Sequence, residues 1–193
     1  MKTLPFTAAV VAASLAIGAP AIAQRVPAAS VAVVDLAQIS GQCTACKTAA
    51  TALQGQVATL RSRQQQLTTS LQGEGTAIQT AVNALNGKAP DAALTARIRA
   101  LQTRQDAANQ ELQRQQQQIQ RNQAYIQQQI DAKLVPVIDQ VMQRRGANLV
   151  IEAGASLRAG PGLDVTADVL AGLNAALPSL ATTAPAAATP PRR

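Results

Sequence analysis

The chain has no histidine and no tryptophan, and only one phenylalanine, one tyrosine and two cysteines among its 193 residues. Each shortage excludes something. Without histidine there is no Ser-His or Cys-His catalysis, and the commonest zinc ligand is missing. Phe6 lies at the extreme N-terminus, so Tyr125 is the one aromatic left for the rest of the chain. A large core is hard to fill without rings, and no aromatic platform exists for stacking bases, so nucleic acid is not an expected partner. Gly160-Pro161-Gly162 lacks the lysine of a phosphate loop. Gly154-Ala155-Ser156-Leu157-Arg158 opens like a nucleophile elbow but lacks the closing glycine. Asp106, Glu111, Asp131 and Asp139 are spread along a charged helical face and make no acid–base pair. No enzyme, cofactor or metal site is expected.

What is present begins with an export signal. Lys2 precedes an apolar run from Leu4 to Ala19, and Ala21-Ile22-Ala23 offers a small-x-small cleavage site. The run is too short to span a bilayer. Residues 1–23 therefore read as a signal peptide, which leaves a soluble, exported chain of 170 residues. With Lys2 removed, 16 basic residues face 10 acidic ones. A net charge of +6 suits anionic lipid surfaces and acidic or unfolded polypeptides.

Residues 24–40 form the first part of a small body, with Ser30–Asp35 reading as a buried strand. Asp35 can cap a helical turn from Leu36 to Ile39, with Gln38 in the capping-box position, before Ser40-Gly41 interrupts it. Residues 41–145 read as a helical hairpin. Leu53, Val57, Leu60, Gln64, Leu67, Leu71, Glu74, Ile78, Ala81 and Leu85 alternate in steps of four and three, which is a heptad seam. Gly73 and Gly75 mark a soft point in it. Turn residues fill positions 86–91. A second seam then runs from Leu94 through Ile98, Leu112, Asn122 and Ile126, with a stutter after Ile126 and Pro136 set to kink or reset the helix. Eleven of the twenty residues from Gln110 to Gln129 are glutamine, a helix former without charge.

Residues 146–177 form the second part of the body. Ala147–Glu152 reads as a strand, Ser156–Arg158 as a further one, and Thr166 as the cap of a last helix with Asp168 in its first turn. Residues 178–193, rich in alanine, threonine and proline, read as a disordered tail. The fold class is thus α+β: a long antiparallel coiled-coil hairpin projecting from a small β-rich body. So few short elements bury little surface, so the body is expected to be shared between copies of the chain.

Between Lys47 and Arg145 there are 12 basic and 6 acidic residues. Arg61, Arg63, Arg97, Arg99, Arg104, Arg114 and Arg121 are the candidate contacts for a bound polypeptide. Cys43 and Cys46 open the first arm helix. Lys47 stands where haem attachment needs histidine, and no βαβ context supports a thioredoxin-like site. In a regular helix residues three apart hold their Cβ atoms about 5 to 6 Å apart, against roughly 3.5 to 4.5 Å in a disulfide. A bond within the chain needs a helix that is only starting; free thiols and a bridge between chains are the alternatives.

The head VAVVDLAQI, the long glutamine-rich hairpin, GANLVIEAGASL and above all LDVTADVLAGLN make residues 31 to about 177 similar to the OmpH/Skp family of periplasmic chaperones. The resemblance implies a jellyfish-shaped homotrimer in the periplasm. Three chains build one body, and three arms enclose a cavity that holds unfolded outer-membrane proteins without ATP until insertion. It leaves open a contact with anionic lipid or lipopolysaccharide, for which no residue is assigned. The Cys43–Cys46 pair is not part of the family's general pattern, and the arms carry fewer acidic and lysine residues and more glutamine than is common there. The alternative is a structural or tethering coiled-coil protein of the same compartment.

Overall fold

The computed structural model describes residues 27–185. The expected signal peptide and the last eight residues lie outside that range. Two long helices dominate: α2 (Thr44–Asn83) and α3 (Ala92–Arg145) pack against each other as a hairpin. At 1.5 Å per residue they are about 60 and 80 Å long. The remaining elements gather at the open end of the hairpin: β1 (Val31–Val34), α1 (Leu36–Gln42), β2 (Leu149–Glu152), a single 3-10 turn (Ala153–Ala155), and α4 (Thr166–Ala176).

The hairpin forms because its apolar residues keep heptad spacing. Ile78, Leu94, Ala108 and Ile126 are buried between the helices, and most other seam positions are half-buried. Gln64 and Gln105 are the polar exceptions that face water. The turn needs residues that tolerate positive φ, and Asn86 (47°) and Gly87 (86°) supply them. Asp91 then caps α3 by accepting from the Leu94 amide at 2.7 Å. Gly146, in the left-handed region, ends α3, with Arg144 and Arg145 in the last turn where positive charge is favoured.

Two expectations about helix breaks change. Helix α3 runs through Pro136 without interruption. Pro136 and Ala132, whose carbonyl loses its amide partner, both lie on the solvent side, where water can take that carbonyl. Helix α1 also passes through Ser40-Gly41 and stops at Cys43. The Ser40 hydroxyl returns to the Leu36 carbonyl at 2.8 Å, so it stays within the helix. Helix α2 is continuous across Gly73 and Gly75. A Cβ at position 73 would meet nothing within 4 Å. Gly73→Ala is therefore expected to raise stability by about 0.5–1 kcal/mol, seen as a higher urea midpoint at unchanged slope.

In the body, β1 and β2 pair in parallel with Val31 opposite Leu149 and Val34 opposite Glu152. The whole hairpin is the crossover between them. On its other side β1 meets Leu163–Val165: the Val33 amide donates to the Leu163 carbonyl, and the Val33 carbonyl accepts from Val165. The added strand-like segment is thus at 163–165 and not at Ser156–Arg158, which lies beyond the 3-10 turn with Leu157 fully exposed. Asn148 fixes the entry to β1, accepting from Ser30 N at 2.8 Å and donating to the Ala28 carbonyl at 2.8 Å.

The core lies where α4 covers β1 and the base of α3. Ile39, Val141, Val169 and Leu173 are fully buried there, with Val34 and Val137 beside them. Gly172 lets the helices approach closely: a Cβ on it would lie 2.7 Å from Val137 Cγ1.

The start of α4 is capped differently from the sequence expectation. Thr166 is the first helical residue, and the Asp164 carboxylate accepts from its amide at 2.8 Å. The Thr166 hydroxyl instead accepts from Asp35 N at 2.9 Å, tying the end of β1 to α4. Hydrogen bonds from the Thr166 side chain and backbone hold the Asp164 carboxyl below its ordinary 3.8. An acid depressed in the folded state stabilises above its unfolded pKa and loses that contribution as pH falls through the folded one. Urea midpoints should therefore fall more for the wild type than for Asp164→Asn as the pH drops below about 3.8.

Candidate functional site

The joint between body and arm is built at Cys43. This residue ends α1 and precedes α2 with an extended backbone (φ −56°, ψ 123°). Leaving helical geometry there lets its side chain turn back to Cys46, and the two are joined as a disulfide with Cα atoms 5.1 Å apart. Both are buried in the body core. The free amides that open α2 are met locally and from α4: Cys43 Sγ accepts from Cys46 N, and Asn174 Oδ1 accepts from Thr44 N at 3.0 Å. Arg145, at the end of α3, bonds Asp168 in the first turn of α4 at 2.7 Å. Both arm helices are thereby anchored to α4.

Along the arm the seven candidate arginines divide. Arg63 makes a two-pronged bond across the hairpin to Glu111, at 2.7 and 3.2 Å. That bond raises the Arg63 pKa and lowers that of Glu111. Arg104 reaches Glu74 across the hairpin at 2.6 Å. Arg121 donates to Gln118 on its own helix. Arg61, Arg97, Arg99 and Arg114 are exposed and make no ion pair among the described residues. Among the candidates, the charges of Arg61, Arg97, Arg99, Arg114 and Arg121 are thus left without an ion-pair partner among the described residues, while Arg63 and Arg104 tie the two helices together. Glu111, read from sequence as part of a solvated face, belongs to that lock.

A third feature lies on the body-proximal half of the arm. Residues 178–185 do not hang free, as their composition suggested. Leu180 packs against the body core, and the chain then runs along the hairpin. Gln129 holds Ala181 through both backbone groups, Nε2 to the carbonyl at 2.9 Å and Oε1 from the amide at 3.0 Å. Gln56 Nε2 donates to the Thr182 carbonyl at 3.1 Å. Asn122 Oδ1 accepts from Ala184 N at 2.8 Å. Asn122 is 3% exposed, and its other bonds go to Gln56 and Gln118. The sequence reading missed this set. Its trace is Asn122 at a seam position: an amide buried between helices calls for hydrogen-bond partners, and the Ala184 amide is one of them.

Among the described residues no three metal-binding side chains come together, and no helix is long and apolar enough to cross a membrane. The hairpin arm on a small α/β body defines the class of the protein. The profile of the family described as Outer membrane protein (OmpH-like) matches residues 30–173, so the chain belongs to that family. Among solved structures it is similar to an OmpH-like protein of Caulobacter crescentus CB15, provisionally titled an outer membrane chaperone. The two share 20% sequence identity at a TM-score of 0.67, over 81% of this chain and 90% of that one. No curated protein matches the sequence.

Proposed function

We propose that this chain is an ATP-independent holdase chaperone of the periplasm, which binds unfolded outer-membrane proteins and keeps them from aggregating before insertion. The observation that carries the reading is the arm: a hairpin some 60 to 80 Å long, with an excess of six positive charges between Lys47 and Arg145, mounted on a small body. Membership of the OmpH-like family supports it. A client without fixed structure is held by scattered charge and half-buried apolar groups, not by a shaped pocket.

The working form we propose is a homotrimer. Two features support pooled bodies. The outer edge of β2 has no strand partner among the described residues, and the body exposes Leu149 on β2 as well as Leu157 and Leu163.

The test is dilution of an outer-membrane protein from urea in the presence of the purified mature chain. Suppression of light scattering at one trimer per client, weakening as salt rises, is the expected result. Equal scattering with and without the protein at every ratio overturns the reading and leaves the tether.

A further inference from the structure

The arm holds its own C-terminal segment by the backbone, and this suggests what else the same groups can hold. Every hydrogen bond from the arm to Ala181, Thr182 and Ala184 goes to a backbone group of that segment. The donors and acceptors are side-chain amides, which carry both functions in one planar group. Gln129 uses both against a single residue, as a neighbouring strand does. Gln118 Nε2 adds a longer contact to the Ala184 carbonyl at 3.4 Å.

The spacing is regular. Gln129 and Asn122 are seven residues apart on α3, about 10.5 Å along a helix. The residues they bind, 181 and 184, are three apart, with a bend at Thr183 between them. One heptad of arm thus holds both ends of a four-residue stretch by its backbone amides. The segment contributes only small side chains, from Ala181 to Ala184, and a cavity bordered by Gln115, Ile119 and Thr183 continues beside it. Contacts to backbone carry no sequence preference, and the open side leaves room for larger side chains than alanine and threonine. The segment also lies beyond the region the family profile matches, which ends at residue 173.

We propose that Gln56, Gln118, Asn122 and Gln129 form a sequence-independent binding site for extended polypeptide, and that residues 181–184 occupy it in cis as a displaceable stand-in for unfolded client. The proposal rests on the holdase reading for the nature of the client. Its novelty is the location of the site and the competition with the tail. A bound client strand displaces the tail, and the tail returns when the client leaves, so weakly bound chains are shed.

The test uses the full mature chain and a fluorescein-labelled, unstructured twenty-residue peptide of alanine, threonine and serine, read by anisotropy. Such a peptide is uncharged apart from its label, and no outer-membrane protein is involved. Failure of the holdase assay and failure of this one are therefore separate results. Ala181→Pro with Ala184→Pro removes the two donated tail amides and leaves the arm intact. This variant should bind the peptide at least fivefold more tightly than the wild type. Adding Gln129→Leu should abolish the gain. Thr182→Pro removes an amide the arm does not use and should behave as the wild type does. The proposal is overturned if the double proline variant gains nothing, if its gain survives Gln129→Leu, or if Thr182→Pro opens the site equally. Circular dichroism showing unchanged helix content in each variant ties a loss to the site and not to unfolding.

Discussion

Leu173→Ala should lower the stability of the body by about 2–5 kcal/mol, the largest loss expected of any single truncation here. Leu173 is 0% exposed, on the face of α4 that covers β1 and the base of α3. Its neighbours Val141 and Val169 are likewise fully buried, and Val137 is already pressed against Gly172, so the hole left behind cannot easily close. Domains of this kind are stable by roughly 5–15 kcal/mol, so the loss is a large share of the total. The arm seam behaves differently. Leu67 is only half-buried between two helices, and Leu67→Ala should cost less than half as much. Urea unfolding followed by helix signal, with amide exchange at Val33 and Val34, separates the two. Fast exchange there in Leu173→Ala, with the arm amides still protected, is the expected pattern. A loss below about 1 kcal/mol would mean that the body is held by something other than this core.

Replacing Arg61, Arg97, Arg99 and Arg114 together with glutamine should weaken capture of an acidic unfolded client about tenfold at low salt. The four substitutions remove most of the excess of six positive charges on the arm and leave both cross-hairpin ion pairs in place. Exposed charges act over about 10 Å at 0.1 M salt and over about 3 Å at 1 M, so the gap between variant and wild type should close as salt is added. Arg63→Gln with Arg104→Gln is the contrasting pair. Those arginines are spent on Glu111 and Glu74, so their removal should shift thermal unfolding of the arm more than client affinity. Equal affinity for all three proteins at low salt would exclude electrostatic capture by the arm.

What could be read from the residues, and what could not, follows from the range of the interactions. The seam from Leu53 to Leu85 and its counterpart from Leu94 to Val141 depend on spacing within one helix, and the hairpin is visible in them. Asp35 is a local cap, and its carboxylate does accept from Gln38 N at 2.7 Å. Local rules overstated the breaks at Ser40-Gly41 and Pro136, and the remaining errors are non-local. Thr166 looked like a helix cap because its hydroxyl sits at the right point, but Asp35, 131 residues away, takes that hydroxyl. Leu163–Val165 reads as loop until β1 is seen beside it. Residues 178–185 have the composition of a free tail because the groups that hold them belong to Gln56, Asn122 and Gln129 on the arm. The four exposed arginines could be told from the two paired ones only by knowing which residues the hairpin places opposite each other.

The parallel pairing of β1 with β2 has a kinetic consequence. Ser30 and Asn148, which meet at the start of that pairing, are separated by 118 residues in sequence. For a flexible chain the entropy of closing so long a loop grows as (3/2)RT ln n, about 2 kcal/mol more than for a loop of ten. The hairpin can avoid most of this. Its contacts zip outward from the Asn86-Gly87 turn, each new pair only slightly farther apart than the last. Once zipped, it carries the end of α3 back past the start of α2 toward the body, so the two strands have only a short gap left to close. The expected order of assembly is arm first, body last. The arm, the part proposed to meet clients, is then formed before the sheet that holds it is complete.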